Sequence, residues 1–540
     1  MAQGVDRGTG RAVSFLAFAC VALLAITPAF GWPPVTRVSV VLLTAFCVLL
    51  AITRPWRAST GTLDQFATWS PSATVVWLAA IVSGALLLWF VLSRFYSGAI
   101  NAIDFTVYYD RPTYQTAHGR LMYVESADDP VRAYQTYLSV HAHWVMIPLS
   151  FVYRVYPSPL WLLVLSVVAV VVGAVYTFRI LQFLGTGTLL AAAAGLAFML
   201  NDNTARTLIY GFHTEVLYAW FAPWALHAAL TRRPWSFGVA ALGCIAVKED
   251  AFMVLAAVSV SLALLRFRAM SPWERVLYLA APTAAALVNV VVYYGYLLPE
   301  LRPAGSFYAN YWGSFGSTPR AAALGMLTDP WRVVSLTATS GFFLRVLLPH
   351  LFLPLAGWRW MGGVLPIVFL YGASDNEQMR DFGIYYAIVL VPFLVLASAE
   401  GVARVGRLFL RDPRVVQVAG AIVLVAGSLV GGLTSGGYSL RPWKPAVLEV
   451  AGTIDRLLET DARVLVQSGL YPHAGYDSRV QLLTPETLSA PANNGAFIVV
   501  APTVGAWPLS GDDLRSLIAS STRVESDQAD AALVVLRLTK

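Results

Sequence analysis

Residues 235–266 read WSFGVAALGCIAVKEDAFMVLAAVSVSLALLR. Two apolar runs, 235–247 and 251–266, are separated only by Lys248-Glu249-Asp250. Each run approaches the length that a bilayer crossing requires, and the first is short for an untilted span. The stretch therefore reads as a hydrophobic hairpin interrupted by three consecutive charges. A plain short turn explains one or two of them; a site inside a membrane bundle explains all three.

The same kind of run recurs along the chain. Working outward from the hairpin, the further spans are 13–30, 37–53, 73–93, 160–178, 186–200, 213–230, 276–297, 342–357, 361–373, 383–400 and 415–433, about thirteen in all by length and hydrophobicity. Composition agrees: 57% of the 540 residues are hydrophobic and 12% charged, against roughly 25% charged in a soluble domain, and mean hydropathy is +0.64. A soluble globular protein, a disordered chain and a disulfide scaffold are excluded, because this composition cannot supply a charged shell. Cys20, Cys47 and Cys244 all lie in apolar runs and read as small buried hydrophobes.

The formal net charge is +7, from 37 Lys+Arg against 30 Asp+Glu. No Lys/Arg-rich tract with interleaved aromatics points to nucleic acid. The surplus instead follows a positive-inside pattern. With the N-terminus cytoplasmic, the cytoplasmic loops hold Arg7, Arg11, Arg54, Arg57, Arg179, Arg232, Arg233, Arg266, Arg268, Arg275, Arg359, Arg404, Arg407, Arg411 and Arg414. The C-terminus then falls outside, and the first span is expected to be uncleaved. Three segments face the exterior: the loops 94–140 and 298–340, and a tail from 436 to 540. In the tail, 463–466, 496–500 and 533–536 read as strands, while 446–459 and 512–519 read as amphipathic helices. The expected architecture is an all-α polytopic membrane bundle with a small exterior α/β domain. Its parts are a two-span extension (1–72), a transmembrane domain (73–435) and the tail.

Ionisable residues near membrane depth are costly, so their positions carry information. Asp104 and Asp110 lie among aromatics just after a span. Such carboxylates serve as a general base on a hydroxyl, hold a cation, or are simply solvated loop acids. His141 and His143 alternate before an apolar stretch, open to a metal-sharing reading or to a hydrogen-bonded interfacial one. His213 and Glu215 open the next outward-facing span, and Asp375, Glu377, Arg380 and Asp381 form one more polar hairpin. Four elements thus aim carboxylates, imidazoles and a lysine at one face, and this convergence is the signal.

Several of these motifs occur together in one known order. They are Asp104 in its aromatic loop, Ala117-His118-Gly119, His141 with Pro157-Ser158-Pro159 sixteen residues on, Phe212-His213, Lys248-Glu249-Asp250, Tyr471-Pro472-His473 and Ser478-Arg479-Val480. In this order they resemble the bacterial membrane-protein family called domain of unknown function 2079, over about residues 95–500. That family is similar to the GT-C class of glycosyltransferases. The resemblance implies a GT-C-like bundle with its active site at the outer face, a polyprenyl-phosphate sugar as donor, and a carboxylate of the first large exterior loop as base. The sequence departs from the family pattern at Asp104-Phe105-Thr106, where Asp-Leu-Gly is usual. The second acid falls one residue late, at Asp110, and Arg111 stands where Gln is usual.

The resulting expectation is transfer of a lipid-linked sugar to an envelope glycan, lipid or protein acceptor on the outer side of the cell membrane. Asp104 and Asp110 are the catalytic candidates, with Asp104 the base; Lys248, His213 and His141 would bind the donor phosphate. Glu215, Glu249 and Asp250 would orient these groups or hold a divalent cation, which is the one cofactor candidate. A transporter or lipid flippase, for which Pro349-His350 and Pro354 are the best hint, and a non-catalytic scaffold are the rivals. The enzyme reading requires Asp104, His213 and Lys248 around one outward cavity.

Overall fold

The computed structural model describes residues 73–125, 135–302, 309–410, 412–434, 438–520, 522–525 and 533–538. The expected extension 1–72, with its two spans, lies outside the described residues. The rest is a helical bundle joined to a small mixed domain.

Among the described residues, five helices are long and apolar enough to cross a membrane: Leu78–Tyr96, Leu160–Phe183, Ala251–Ala269, Pro272–Leu301 and Pro413–Gly432. The Leu160–Phe183 helix shows why. Its 24 residues contain one charge, Arg179, and a helix apolar on every side belongs inside protein or lipid. Small residues let it pack closely. A Cβ on Gly173 would lie 2.1 Å from the Ala219 carbonyl oxygen, so this helix and Tyr218–Leu230 approach at backbone distance.

Several other expected spans are shorter or broken. Thr188–Leu200 and Tyr218–Leu230 have 13 residues each and Pro234–Val247 has 14. At about 1.5 Å per residue they reach roughly 20 Å, less than the roughly 30 Å hydrocarbon thickness. Hydropathy alone located them without setting their reach. The expected span 342–357 is not one helix. Pro330–Ala338 and Phe342–His350 form a pair bent by 52°, and Leu351 and Phe352 have positive φ. His350, inside this break, is buried and bonded on both ring nitrogens, to Asn201 at 2.8 Å and Ser398 at 3.0 Å. Pro349 and Pro354 therefore mark a kink around a satisfied histidine.

The tail forms a five-stranded sheet of order β2-β1-β3-β5-β4. The strands are β1 (Val464–Val466), β2 (Val480–Leu482), β3 (Phe497–Val500), β4 (Thr522–Glu525) and β5 (Val534–Arg537). β1 pairs in parallel with β2 and β3; β5 pairs antiparallel with β3 and β4. Side chains alternate between two cores. Leu465, Ile498, Val500 and Leu536 pack in a small core of the domain. Val464, Val466, Val499 and Val535 belong to the main core, which continues through Leu470 and Tyr471 to Phe95 and Phe105 of the bundle. Glycines permit the junction: Gly98 has φ +65°, and a Cβ on Gly469 would lie 2.5 Å from the Gly98 carbonyl oxygen.

Candidate active site

The first long inter-span segment begins with a π-helical turn, Ile103–Asp110, that runs directly into the helix Arg111–Ala117. Such turns re-aim side chains and often mark functional positions. This one carries both acids expected from the sequence, in opposite environments.

Asp104 is half-buried. Asn101 orients it, donating from Nδ2 to Oδ2 at 2.9 Å. Asp104 lies close enough to Tyr210 and Tyr385 for its charge to act on both. Those two rings flank His213, Tyr385 by stacking with centroids 3.6 Å apart and Tyr210 edge-on at 5.9 Å.

Asp110 is buried. Its Oδ1 accepts from the hydroxyls of Tyr153 at 2.8 Å and Tyr476 at 2.9 Å. Burial raises its carboxyl to about 6, against the lowering effect of the two tyrosine bonds and Arg111. Arg111 donates to the carbonyls of Gly475 and Asp477 and lies over the Tyr471 ring. Asp110 and Arg111 thus clasp the tail domain. The geometry assigns Asp110 a place in the interface rather than at an open catalytic face.

The hairpin charges meet the histidines in a second, buried cluster. Lys248 Nζ donates to Glu215 Oε1 at 2.8 Å, with both side chains almost wholly buried. His213 Nδ1 lies 3.8 Å from Glu215 Oε2 and shares a 3.2 Å hydrogen bond with the Tyr109 hydroxyl. His141 Nδ1 lies 2.8 Å from Glu249 Oε1, and the Ala142 amide donates to Oε2. Burial raises the Glu249 carboxyl, but His141, Lys248 and the Ala142 amide together hold the group down at about 2. Asp250 accepts from Tyr218 at 2.6 Å and Tyr371 at 2.9 Å. His143 is held through Nδ1 by the Val247 carbonyl at 2.8 Å, and burial lowers its imidazole to about 3, so it is neutral at pH 7.

This arrangement revises the expected roles. Lys248 is engaged by Glu215 with the Glu249 and Asp250 charges nearby, so its ammonium is already compensated within the protein. Glu215, Glu249 and Asp250 are each committed to different partners. Among the described residues, no three His, Cys, Asp or Glu side chains are grouped to hold a metal ion; the residues do not fit a divalent cation. Asp104 is half-buried, while His213 and Lys248 are 3% and 5% exposed. A cavity of about 450 Å³ opens beside Asn101, between the bundle and the tail, and none of these three residues lines it. In the polar hairpin 375–381, Asp375 accepts from the Ser314 amide and Asp381 pairs with Arg345 at 3.4 Å.

Sequence reasoning did not single out Tyr153, Tyr218, Tyr371 and Tyr476 as partners of these acids. A tyrosine at the end of an apolar run reads first as an interfacial anchor. For Tyr476 alone a signal existed, its place between the Tyr471-Pro472-His473 and Ser478-Arg479-Val480 motifs.

The family described as "Predicted membrane protein (DUF2079)" matches residues 94–490. The chain belongs to that family. The resemblance read from the sequence thus stands, and the protein is a multi-pass membrane protein. No curated protein matches the sequence. Among solved structures, the chain is similar to ArnT from Cupriavidus metallidurans in the apo state, with 14% identity, a TM-score of 0.50, and 87% of this chain and 99% of that chain covered. The same ArnT bound to undecaprenyl phosphate aligns with a TM-score of 0.48, at 14% identity and the same coverage. Arabinofuranosyltransferase AftD from Mycobacteria aligns at 14% identity and TM-score 0.43, over 87% of this chain and 40% of that one. At this identity the ArnT likeness establishes the fold alone: the bundle is GT-C-like.

Proposed function

We propose that the protein is an integral-membrane glycosyltransferase that moves a sugar from a polyprenyl-phosphate donor to an envelope glycan, lipid or protein on the outer side of the cell membrane. The observation that carries this reading is Asp104: a half-buried carboxylate, oriented by Asn101, at the head of the first inter-span segment of an ArnT-like bundle. In this account the N-terminus is cytoplasmic and the tail domain is exterior, as the arginine distribution indicates.

Asp104 takes the proton of the acceptor hydroxyl while that oxygen attacks the anomeric carbon. The new bond is carbon to acceptor oxygen; the broken bond is carbon to phosphate oxygen, and polyprenyl phosphate departs with the electron pair. One base and one displacement give inversion at the anomeric centre. Asp110 positions the turn that carries Asp104. Tyr385, backed by His213 and the Lys248–Glu215 pair, forms a rigid wall opposite. His213 and His141 stay as supports for the donor side, Lys248 as a positioning residue.

The test is transfer from a radiolabelled polyprenyl-phosphate sugar to membrane-envelope acceptors by wild-type protein and by Asp104→Asn. Transfer by the wild type that falls at least a hundredfold in the variant supports the base; equal transfer by both removes it.

A further inference from the structure

The cavity beside Asn101 is walled on one side by Ser97–Asn101 at the end of the first described span. On the other it is walled by Arg441 and Lys444 of the linker and by Ser468, Thr503 and Trp507 of the tail domain. Its volume, about 450 Å³, is in the range of small-molecule sites. Its charge is one-sided. Two of the lining residues are cations and none is acidic, and no carboxylate lies within ion-pair distance of Arg441 or Lys444 among the described residues. Arg94, three residues before Ser97, adds to the imbalance: it is buried, feels the Arg441 charge, and has an Nε without a hydrogen-bond partner.

Like charges collected without a counter-charge repel, and an anion placed among them relieves that cost. The rest of the lining suits a sugar. Trp507, 57% exposed, offers an apolar ring face, while Asn101, Ser468 and Thr503 offer hydrogen-bonding groups suited to hydroxyls. The apolar side chains are few, Ala99, Ile100, Pro442 and Trp507, too little surface for a polyprenyl chain. Asn101 lines this cavity and also orients Asp104.

We infer that this cleft is an acceptor subsite for an acidic saccharide, a sugar whose carboxylate or phosphate meets Arg441 and Lys444 while its ring lies against Trp507. The inference rests on the glycosyltransferase reading for the word acceptor. The binding itself is independent of it.

The test uses the full chain in nanodiscs of zwitterionic lipid, with calorimetric titration of digalacturonate and of lactose, a neutral disaccharide. Wild-type protein is expected to bind digalacturonate at least tenfold more tightly than lactose, and less tightly as salt rises. Arg441→Gln/Lys444→Gln removes that preference, and Trp507→Ala weakens both sugars while preserving the preference. Undecaprenyl phosphate, titrated in parallel, binds the double variant as it binds wild type. The inference is overturned if wild type binds the two disaccharides alike, which requires no variant to fold. It is equally overturned if the double variant loses undecaprenyl phosphate and keeps digalacturonate. Absence of sugar transfer with intact digalacturonate binding would defeat the enzyme reading and leave the site.

Discussion

Asp104 and Asp110 stand at the two ends of one π-helical turn, six positions apart, yet the fold treats them as different groups. Asp104 is half-buried and is oriented by Asn101, just before the turn. Asp110 is enclosed and bonded by tyrosines 43 and 366 residues away in sequence. Two carboxylates of one local motif thus sit in different environments, one half-buried and one enclosed at the junction with the tail domain. The same contrast extends to the Lys248–Glu215 pair, an ion pair at 2.8 Å that is almost wholly buried.

The largest effect expected from breaking this contrast is on the closed side. Lys248→Ala leaves Glu215 as an uncompensated buried charge and should cost on the order of 3–5 kcal/mol. A fall in thermal midpoint in detergent measures it, and Lys248→Met combined with Glu215→Leu should restore much of the loss. Asp110→Leu removes the acceptor of two buried hydroxyls. Each unpaired tyrosine hydroxyl costs about 1–3 kcal/mol, and limited proteolysis should release the tail domain more readily than in wild type.

A pH series sharpens the comparison. The Asp110 carboxyl is raised to about 6 from an ordinary value of 3.8, so the folded chain holds more protons there than the unfolded chain between those values. Its contribution is fully present below pH 3.8 and declines as pH rises toward 6. Asp110→Asn should therefore cost more stability at pH 4.5 than at pH 7. His143 acts with the opposite sign. Its imidazole is lowered to about 3 from 6.5, so its contribution is present above 6.5 and is lost as pH falls toward 3. A thermal-midpoint difference between wild type and Asp110→Asn that grows toward neutral pH would contradict the assignment. The smallest expected effect is Asn101→Ala, which removes one hydrogen bond to Asp104 and keeps the carboxylate. A loss of roughly tenfold in transfer with unchanged thermal midpoint is the expected result, in keeping with the sensitivity of proton transfer to positioning.

Much of this was legible in the chain. Long apolar runs located the helices because hydrophobicity needs no partner to be read, and the strands 463–466, 496–500 and 533–536 were equally plain. β2 and β4 were missed: Val480–Leu482 is three residues long, and Thr522–Glu525 carries two charges. Lys248, Glu215 and His213 lie next to one another in the fold, all three at or beside helix ends. Their pairing was not legible, since it depends on the distance between 215 and 248 in space. The Asp110 clasp depends likewise on Tyr476, brought back across most of the bundle by the tail. Charge type was readable from sequence; whether a charge is open or already compensated was a property of the fold.

The most direct measurement sets the two ends of the turn side by side: radiolabelled sugar transfer and thermal midpoint for Asp104→Asn and Asp110→Asn at pH 7. The account predicts that Asp104→Asn loses transfer by about 10²–10⁴-fold with its thermal midpoint unchanged, while Asp110→Asn keeps most of its transfer per folded molecule. Full transfer by Asp104→Asn, or an equal loss in both variants, would contradict it.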